Sequence, residues 1–358
     1  MAKILIAMSG GVDSSVAAAL LKQQGHEVIG ATMEIWSGDA PQVEGRKHGC
    51  YGPEEKNDTE DARRVAESLG IPFHVFDLRE AYRSIVLDHF QREYLAGRTP
   101  NPCIRCNRHI KFDALLRKAR DSGIDYDFIA TGHYARTEHD EINHRALLKK
   151  ARDTQKDQSY FLFYLLPEQL GRLLFPLGDY TKTEVRAMAA NLNLGVKDKA
   201  ESQNFISGGY HPLVAAQAQA GPIMDSRGNI LGQHRGIPFY TIGQRRNLGI
   251  ATGKPMYVTA IDCRRNAVIV GDEDELYHDE LTAADLNLIG IGNLERPLEV
   301  QAKIRYTHPG AAAVVTSLDE RRVHLKFREP QASITPGQAV VFYAGDYVLG
   351  GGIIESAG

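Results

Sequence analysis

The sequence predicts an α/β protein. Its N-terminal part reads as a doubly wound parallel sheet, and β-rich segments follow that end in a small barrel. Three observations carry this reading. Short apolar runs alternate with helical patterns from Ile4 to Thr131, as parallel strands joined by crossover helices require. Strong helical periodicity stops after Gln219, just beyond a compositional change at Gly208-Gly209. From Leu281 onward only short alternating strands and turns remain.

The bulk properties bound the function classes. The chain has 358 residues, enough for about two or three domains. Hydrophobic residues make up 43% and charged ones 24%, which fits a globular protein in water. No apolar run approaches the ~20 residues needed to span a bilayer, so no membrane partner is expected. The opening MAKILIAM runs directly into a glycine turn and is not expected to be a signal peptide. With 4 Cys the chain lacks a disulfide framework, which makes a cytoplasmic location the expectation and directs Cys pairs toward metal or redox chemistry. A net charge of -3 means that any nucleic-acid binding must rest on local patches.

Taken in order, Ile4 to Met8 reads as a buried strand, Ser9-Gly10-Gly11 as a turn without bulky side chains, and Asp13 to Gln24 as a helix stopped by Gly25. The unpaired N–H groups and positive dipole end of that helix favour an anion. Met8, Ser9, Gly10, Gly11, Val12, Asp13, Ser14 and Ser15 therefore form the candidate phosphate-binding turn, with Asp13 placed to hold Mg²⁺. Val28 to Met33 is a second strand, and Met33 at its end is a candidate to line an adenine pocket. A long loop is expected from Glu34 to Asn57, a helix beginning with a Thr59 cap, a strand at Phe73 to Phe76 and a long helix from Glu80 to Ala96. A Pro-rich break follows from Arg98 to Asn107, then a helix from Ile110 to Ser122 and a strand from Asp127 to Thr131 leading into Gly132-His133-Tyr134. Leu165 to Asn193 looks helical, interrupted at Pro176 and Gly178. Ligands in doubly wound sheets bind outside the carboxyl ends of strands, where Ser9–Ser15, Met33 and Thr131–Tyr134, with Gly132 and His133, all fall.

Further segments carry chemistry. In Thr99 to Phe112, TPNPCIRCNRHIKF, the pair Cys103 and Cys106 lies among Arg105, Arg108, His109 and Lys111, an electropositive setting that favours thiolate. KKARDTQKDQSYFL, with Lys156, Asp157 and Gln158, reads either as a solvated loop or as part of a phosphate-binding surface. TIGQRRNLGIATG is a turn-rich basic loop. Arg305-Tyr306 pairs a cation with an aromatic ring, as a nucleic-acid contact would need.

The string SGGVDSS resembles the pyrophosphate loop of the ATP pyrophosphatase superfamily. Together with GRTPNPCIRCNRHIKF, ATGHYAR, KDQSYFL, YTIGQRRNLGIATGKPMYV and RYTHPG, it makes essentially the whole chain resemble the bacterial tRNA-specific 2-thiouridylase family. The resemblance implies an ATP pyrophosphatase catalytic domain (residues 1–208), a small central domain (209–276) and a C-terminal β-barrel domain (277–358). It implies an ATP-dependent sulfurtransferase that adenylates the C2 oxygen of a wobble uridine and then delivers sulfur there. By position, Met8 to Ser15, Met33 and Gly132 would bind ATP. Asn101, Pro102 and Cys103 would face the target base, and Cys106 would be the nucleophile. His133, Lys156, Asp157, Gln158, Arg305, Tyr306 and Gln338 would contact the tRNA anticodon stem-loop.

The sequence departs from that family in two ways. Cys103 stands where an Asp is expected, and the segment Glu201 to Ser207 lacks the second cysteine that would follow its Ser-Gln pair. Cys50, Cys103 and Cys106 instead resemble the ligand set of another branch of tRNA thiolases, which implies a [4Fe–4S] cluster. The competing expectation is a persulfide on Cys106 resolved by Cys103. Sulfur would come from a donor or relay protein or from inorganic sulfide. Cys263 reads as structural. Other classes remain open at this point: an amidating synthetase acting on a small acid, which would share the phosphate loop, or a non-catalytic RNA-binding protein.

Overall fold

The computed structural model describes residues 1–38, 49–141, 145–196, 199 and 204–358. The chain forms two compact units, one of Met1–Val86, Cys103–Gly209 and Asp346–Val348, the other of Leu87–Pro102, Tyr210–Gly345 and Leu349–Gly358.

The first unit is built on a parallel sheet. Its strands lie in the order Phe73–Asp77, Glu27–Glu34, Lys3–Ala7, Phe128–Thr131 and Leu173–Leu174. Lys3–Ala7 has Glu27–Glu34 on one side and Phe128–Thr131 on the other, so the winding reverses at its carboxyl end, where such sheets bind ligands. The helix Val12–Gln23 follows directly. Its small residues Ala17 and Ala18, with Val16 and Leu21, let it approach Ile4 and Ile6 closely, and Val65, Ala66, Val185 and Ala189 complete this core.

Several elements differ from expectation for identifiable reasons. The second helix spans Glu55–Leu69 and so begins a turn before Thr59. Glu55 is needed there, because its carboxylate accepts the backbone N–H groups of Ile35 at 2.8 Å and Trp36 at 3.0 Å. A short strand, Gly49–Tyr51, pairs with Asn204–Ile206 inside the stretch expected to be loop. The Pro-rich break ends earlier than expected: Pro102–Arg105 is already helical, with Pro102 at the helix start where its missing N–H costs nothing. That helix continues as a π-helical segment, Cys106–Ala114, and then as Leu115–Asp121. The region from Leu165 is less helical than expected. It holds the short turn Pro167–Leu170, the edge strand Leu173–Leu174 and the helix Lys182–Asn191. A hairpin, Arg136–Asp140 with Arg145–Lys149, carries too little apolar alternation to be read from sequence. Residues 39–48 of the expected long loop, and the Ser202-Gln203 pair, lie outside the described residues.

The second unit is mostly β. A sheet in the order Ile230–His234, Gly221–Asp225, Ala267–Gly271 and Tyr257–Asp262 encloses Ile223, Val258, Val268 and Val270. The strands Tyr277–Asn287, Val323–Ala332, Ala311–Ser317, Leu298–Lys303, Ala339–Ala344 and Tyr347–Ala357 form a barrel that closes by pairing its last strand with its first. Closure removes exposed strand edges, and Leu281, Val300, Val315, Leu325, Phe342 and Ile354 fill the interior. The α/β-then-barrel expectation is met. The helix Asp88–Leu95 belongs to this unit, stacking Tyr94 on Tyr210 with ring centroids 4.4 Å apart.

Candidate active site

The glycine turn at the switch point is prebuilt. Gly10 has φ +68°, in the left-handed region, and a Cβ there would lie 2.1 Å from the carbonyl oxygen of Asp58. Gly132 packs as tightly: its Cβ would fall 2.6 Å from the amide nitrogen of Ser14. Only glycine fits either position. The hydroxyls of the turn are spent internally. Ser15 Oγ donates to Gly11 O at 2.8 Å, Ser14 Oγ donates to the same oxygen at 3.2 Å, and Ser9 N–H donates to Ser14 Oγ at 3.2 Å. Met8 and Val12 are buried and help fix the turn through the core. Met33 is half-buried at the carboxyl end of its strand.

Asp13 is the charged centre. Lys182 Nζ lies 2.8 Å from each of its carboxylate oxygens, and Tyr134 Oη donates to Oδ1 at 2.9 Å. The sequence places Tyr134 at this strand end but does not pair it with Asp13, and it offers Lys182 only as a helix start. The available signal for Lys182 was the Thr181-Lys182-Thr183-Glu184 helix start. There Thr181 Oγ1 accepts the Glu184 N–H at 3.3 Å and Glu184 accepts the Thr181 N–H at 2.6 Å, a reciprocal cap. Lys199 supplies a second ammonium group, 2.7 Å from Asp58 Oδ1.

His133 follows Gly132 but turns inward. Its Nδ1 sits 2.8 Å from Thr131 Oγ1, and its ring packs near Phe112 and Phe175. Burial, with Lys111 nearby, holds its pKa well below the ordinary value, so the ring is neutral. Gln158 ties the next loop to the same strand end, with its Oε1 accepting Tyr134 N–H at 2.9 Å. Asp157 is buried and accepts Ala151 N–H at 3.0 Å and Ser159 Oγ–H at 2.9 Å. Lys156 is half-buried beside it.

Cys103 and Cys106 lie one turn apart at the start of their helix, half-buried and not joined in a disulfide. Burial pushes the Cys103 thiol up to about 12, with Cys50 and Cys106 adding to it. Burial likewise lifts Cys106 to about 11, against the lowering charge of Lys111. Cys50 is exposed over the residue as a whole, yet the dense protein around its sulfur still raises its pKa, opposed by Lys111 and reinforced by Asp58. For its reactivity the exposure decides, because solvent reaches the residue. Tyr82, fully buried, feels all these cysteines, so Cys50, Cys103, Cys106, Tyr82 and Lys111 share one neighbourhood. Asp58 connects it to the phosphate turn, with its carbonyl against Gly10 and its charge acting on Cys50. Among the described residues no three or more His, Cys, Asp or Glu side chains stand at metal-holding spacing. The electropositive setting expected around the cysteines is only partly realised. Arg105 Nε donates to Ile85 O at 3.2 Å, and Arg108 lies over the Tyr164 ring and donates to Tyr164 O.

The remaining expected site residues lie in the second unit. Asn101 and Pro102 form the chain directly before Cys103. Arg305 Nη1 donates to Ala332 O at 3.1 Å, Tyr306 lies beneath the ammonium group of Lys303, and Gln338 Nε2 donates to Thr99 O at 2.7 Å.

Comparison with known proteins places this geometry. Residues 2–207 match the family described as "tRNA methyl transferase HUP domain", residues 214–272 its PRC-barrel domain, and residues 278–354 the "Aminomethyltransferase beta-barrel domain". A Moorella thermoacetica protein named tRNA-specific 2-thiouridylase MnmA is 54% identical over 359 residues, covering 98% of this chain and 99% of that one. The chain belongs to the tRNA-specific 2-thiouridylase family. Two further members agree along the full length: those of Acetivibrio thermocellus, 49% identical over 99% of both chains, and Heliobacterium modesticaldum, 50% identical over 98% of this chain and 92% of that one. Within the 2-thiouridylase fold, the family-matched N-terminal region contains the phosphate turn, the Asp13–Lys182 pair and all the cysteines of the Cys50 neighbourhood.

Proposed function

We propose that the protein is an ATP-dependent tRNA-uridine 2-sulfurtransferase of the cytoplasm, acting on the wobble uridine of an anticodon stem-loop. The observation that carries this is the link through Asp58: a phosphate-binding turn and a cysteine pair are held side by side in one unit. The backbone N–H groups at the start of Val12–Gln23 would receive the pyrophosphate part of ATP, with Lys182 close by to balance its charge. The Asp13 carboxylate suits a hard cation, and Mg²⁺ bound there would neutralise phosphate charge. Met33 and Gly132 would border the adenosine. Residues 1–208, 209–276 and 277–358 then serve as catalytic, central and barrel domains, with Asn101, Pro102, His133, Lys156, Gln158, Arg305, Tyr306 and Gln338 as RNA contacts; the buried Asp157, its carboxylate taken up by Ala151 N–H and Ser159, holds that loop in place instead of meeting RNA. The target uridine must leave its stack to reach the site.

The chemistry runs in two steps. The C2 oxygen of uridine attacks the α-phosphorus of ATP, the α–β bond breaks and pyrophosphate leaves. A terminal sulfur carried as a persulfide on Cys106 then attacks C2, and AMP departs with the oxygen. Attack of the Cys103 thiolate on Cys106 Sγ breaks the sulfur–sulfur bond, leaves 2-thiouridine and forms a Cys103–Cys106 disulfide. A sulfane-sulfur donor charges Cys106, and a dithiol reductant resets the pair. One turn of helix separates the two cysteines, which favours this route. The three-cysteine [4Fe–4S] alternative finds no ligand grouping among the described residues, and no step is derived through it.

The test is nucleoside mass analysis of tRNA incubated with ATP, Mg²⁺ and a sulfur source, aerobically and anaerobically. Wild-type protein should yield 2-thiouridine, whereas Cys106→Ser should release pyrophosphate with RNA but form no 2-thiouridine. No thiolation by wild type under either condition would overturn the activity. Anaerobic reconstitution to about 3–4 Fe per chain, with activity lost on chelation, would replace the persulfide route by the cluster.

A further inference from the structure

The basic loop from Thr241 to Gly253 and the barrel residue Gln338 meet at one point of the second unit, and that point is the chain leading into the cysteines. Thr99 lies four positions before Cys103. Its N–H donates to Pro336 O at 2.8 Å, and its carbonyl accepts Gln338 Nε2–H at 2.7 Å. Its Oγ1 lies 3.3 Å from Thr241 Oγ1, the first residue of the TIGQRRN turn. Every polar group of Thr99, backbone and side chain, therefore has a partner from the β-rich part of the unit.

The surrounding packing shows that the site is built to hold this segment. Gly337 has φ +91°, and a Cβ there would stand 2.8 Å from the amide nitrogen of Thr99 and 3.0 Å from Arg98 Cβ. Gly97 has φ +68°, and its Cβ would press on Cys263 Sγ at 2.6 Å. A glycine on the segment itself, Gly97, and one facing it, Gly337, are what close backbone approach requires. The neighbouring Arg98 is held by a pair with Glu93, and the turn of Thr241 is closed by its N–H on Gln244 Oε1 at 3.2 Å. Gln338 itself is locked from behind, with its carbonyl accepting Ile354 N–H at 2.8 Å and its N–H donating to Thr335 O at 3.1 Å.

We propose that Gln338, Gly337 and Thr241 act as a clasp on Thr99, and that Gln338 is a positioning residue for the catalytic cysteines. This rests on the sulfur-transfer reading of Cys106. The clasp fixes where the helix carrying Cys103 and Cys106 begins. Since misplacement of a reacting group by about 1 Å can cost about 10²-fold in rate, loosening the clasp slows sulfur delivery.

The experiment compares wild type with Gln338→Ala, Thr99→Val and Gly337→Ala in steady-state thiolation, with fluorescence binding of a tRNA anticodon stem-loop measured separately. The expected result is a fall in kcat of about 5–100-fold, with RNA Kd within about twofold for Thr99→Val and Gly337→Ala, and the same fall in kcat at saturating RNA for Gln338→Ala, whether or not its RNA affinity drops as well. Faster hydrogen exchange at residues 97–106 should accompany it. Thr99→Val removes one hydroxyl and keeps the side-chain shape, so it serves where Gly337→Ala does not fold. Unchanged kcat and exchange with weakened RNA binding in Gln338→Ala would overturn the proposal and leave Gln338 as an RNA contact alone. Failure of the underlying reading is distinguishable, because wild type would then form no 2-thiouridine.

Discussion

Replacing Lys182 by Met tests whether the Asp13 pair belongs to the ATP site. The ammonium group bonds both carboxylate oxygens at 2.8 Å, with side-chain exposures of 11% for Lys182 and 29% for Asp13. Breaking a fully buried pair costs about 3–5 kcal/mol, and an exposed one contributes about 0–1 kcal/mol. At this intermediate burial, with Tyr134 Oη still donating to Asp13, about 1–3 kcal/mol is expected. Met keeps the aliphatic stem, so the loss is electrostatic. The functional cost is separate. One unit charge at ~5 Å from a phosphate, at an effective dielectric of ~20, amounts to about 3 kcal/mol, or roughly 10²-fold in affinity. Calorimetric titration with Mg-ATP should therefore show Kd rising by about 10²-fold, pyrophosphate release falling in parallel, and Lys182→Arg retaining most of the binding. The alternative is that Lys182 merely blocks Asp13. In that case Lys182→Met would bind Mg-ATP as well as wild type or better, and that result would refute the assignment.

Gly132→Ala should abolish ATP binding while leaving the overall secondary structure intact, because the added Cβ would meet Ser14 N at 2.6 Å; ATP titration with circular dichroism checks this. Asp157→Ala should lower the stability of its unit by about 2–3 kcal/mol, read as a fall in denaturant midpoint, since it orphans Ala151 N–H and Ser159 Oγ–H in a buried place. Stability of the β-rich unit should also fall in acid. Gly236 N–H donates to His234 Nδ1 at 3.0 Å and Gly310 N–H to His308 Nδ1 at 3.1 Å, so both rings must be neutral; burial holds both pKa values below the usual one. For groups with a depressed pKa of this kind, folding binds fewer protons. Stability is then fully present above the unfolded pKa of ~6.5 and is lost as pH drops through it toward the folded values. Melting between pH 7.5 and 5 should show this slope, and the slope should flatten in a His234→Gln, His308→Gln double variant.

The fold was legible where one physical signal dominated. Ile4–Ile6 and Val28–Ile29 form continuous apolar runs because parallel strands are covered on both faces, and the barrel strands alternate because only one face is buried. The phosphate turn was legible because left-handed backbone at Gly10 and close packing at Gly132 leave glycine alone possible. The pairing of Lys182 and Tyr134 with Asp13 was not legible, since sequence separations of 169 and 121 carry no local trace. The electropositive thiol loop was misjudged for a related reason. The basic residues predict thiolate, whereas burial of the thiols outweighs charge, and Lys111 is the cation that opposes it.

That outcome bears on how the cysteines are held. A helix N-terminus ordinarily lowers a thiol pKa, yet Cys103 and Cys106 sit there with raised values, so desolvation outweighs the dipole. Their positions are fixed at both ends of the segment. Thr99 is gripped before them, while beyond them Gln169 Nε2 donates to Arg108 O at 3.1 Å and Phe112 O at 2.8 Å, and the buried Asn107 donates to Phe161 O at 3.2 Å. Gln169 thus meets two carbonyls that the π-helical Cys106–Ala114 presents off the α-helical pattern, and Asn107 ties the same segment outward to Phe161, which is how an otherwise costly wide turn persists here. A wide turn anchored on both sides sets the direction of Cys106 independently of the regular helix, Leu115–Asp121, that follows. Cys106 is thus placed by side chains remote in sequence, and substitutions at Gln169 or Asn107 should act on its position as directly as substitutions beside it.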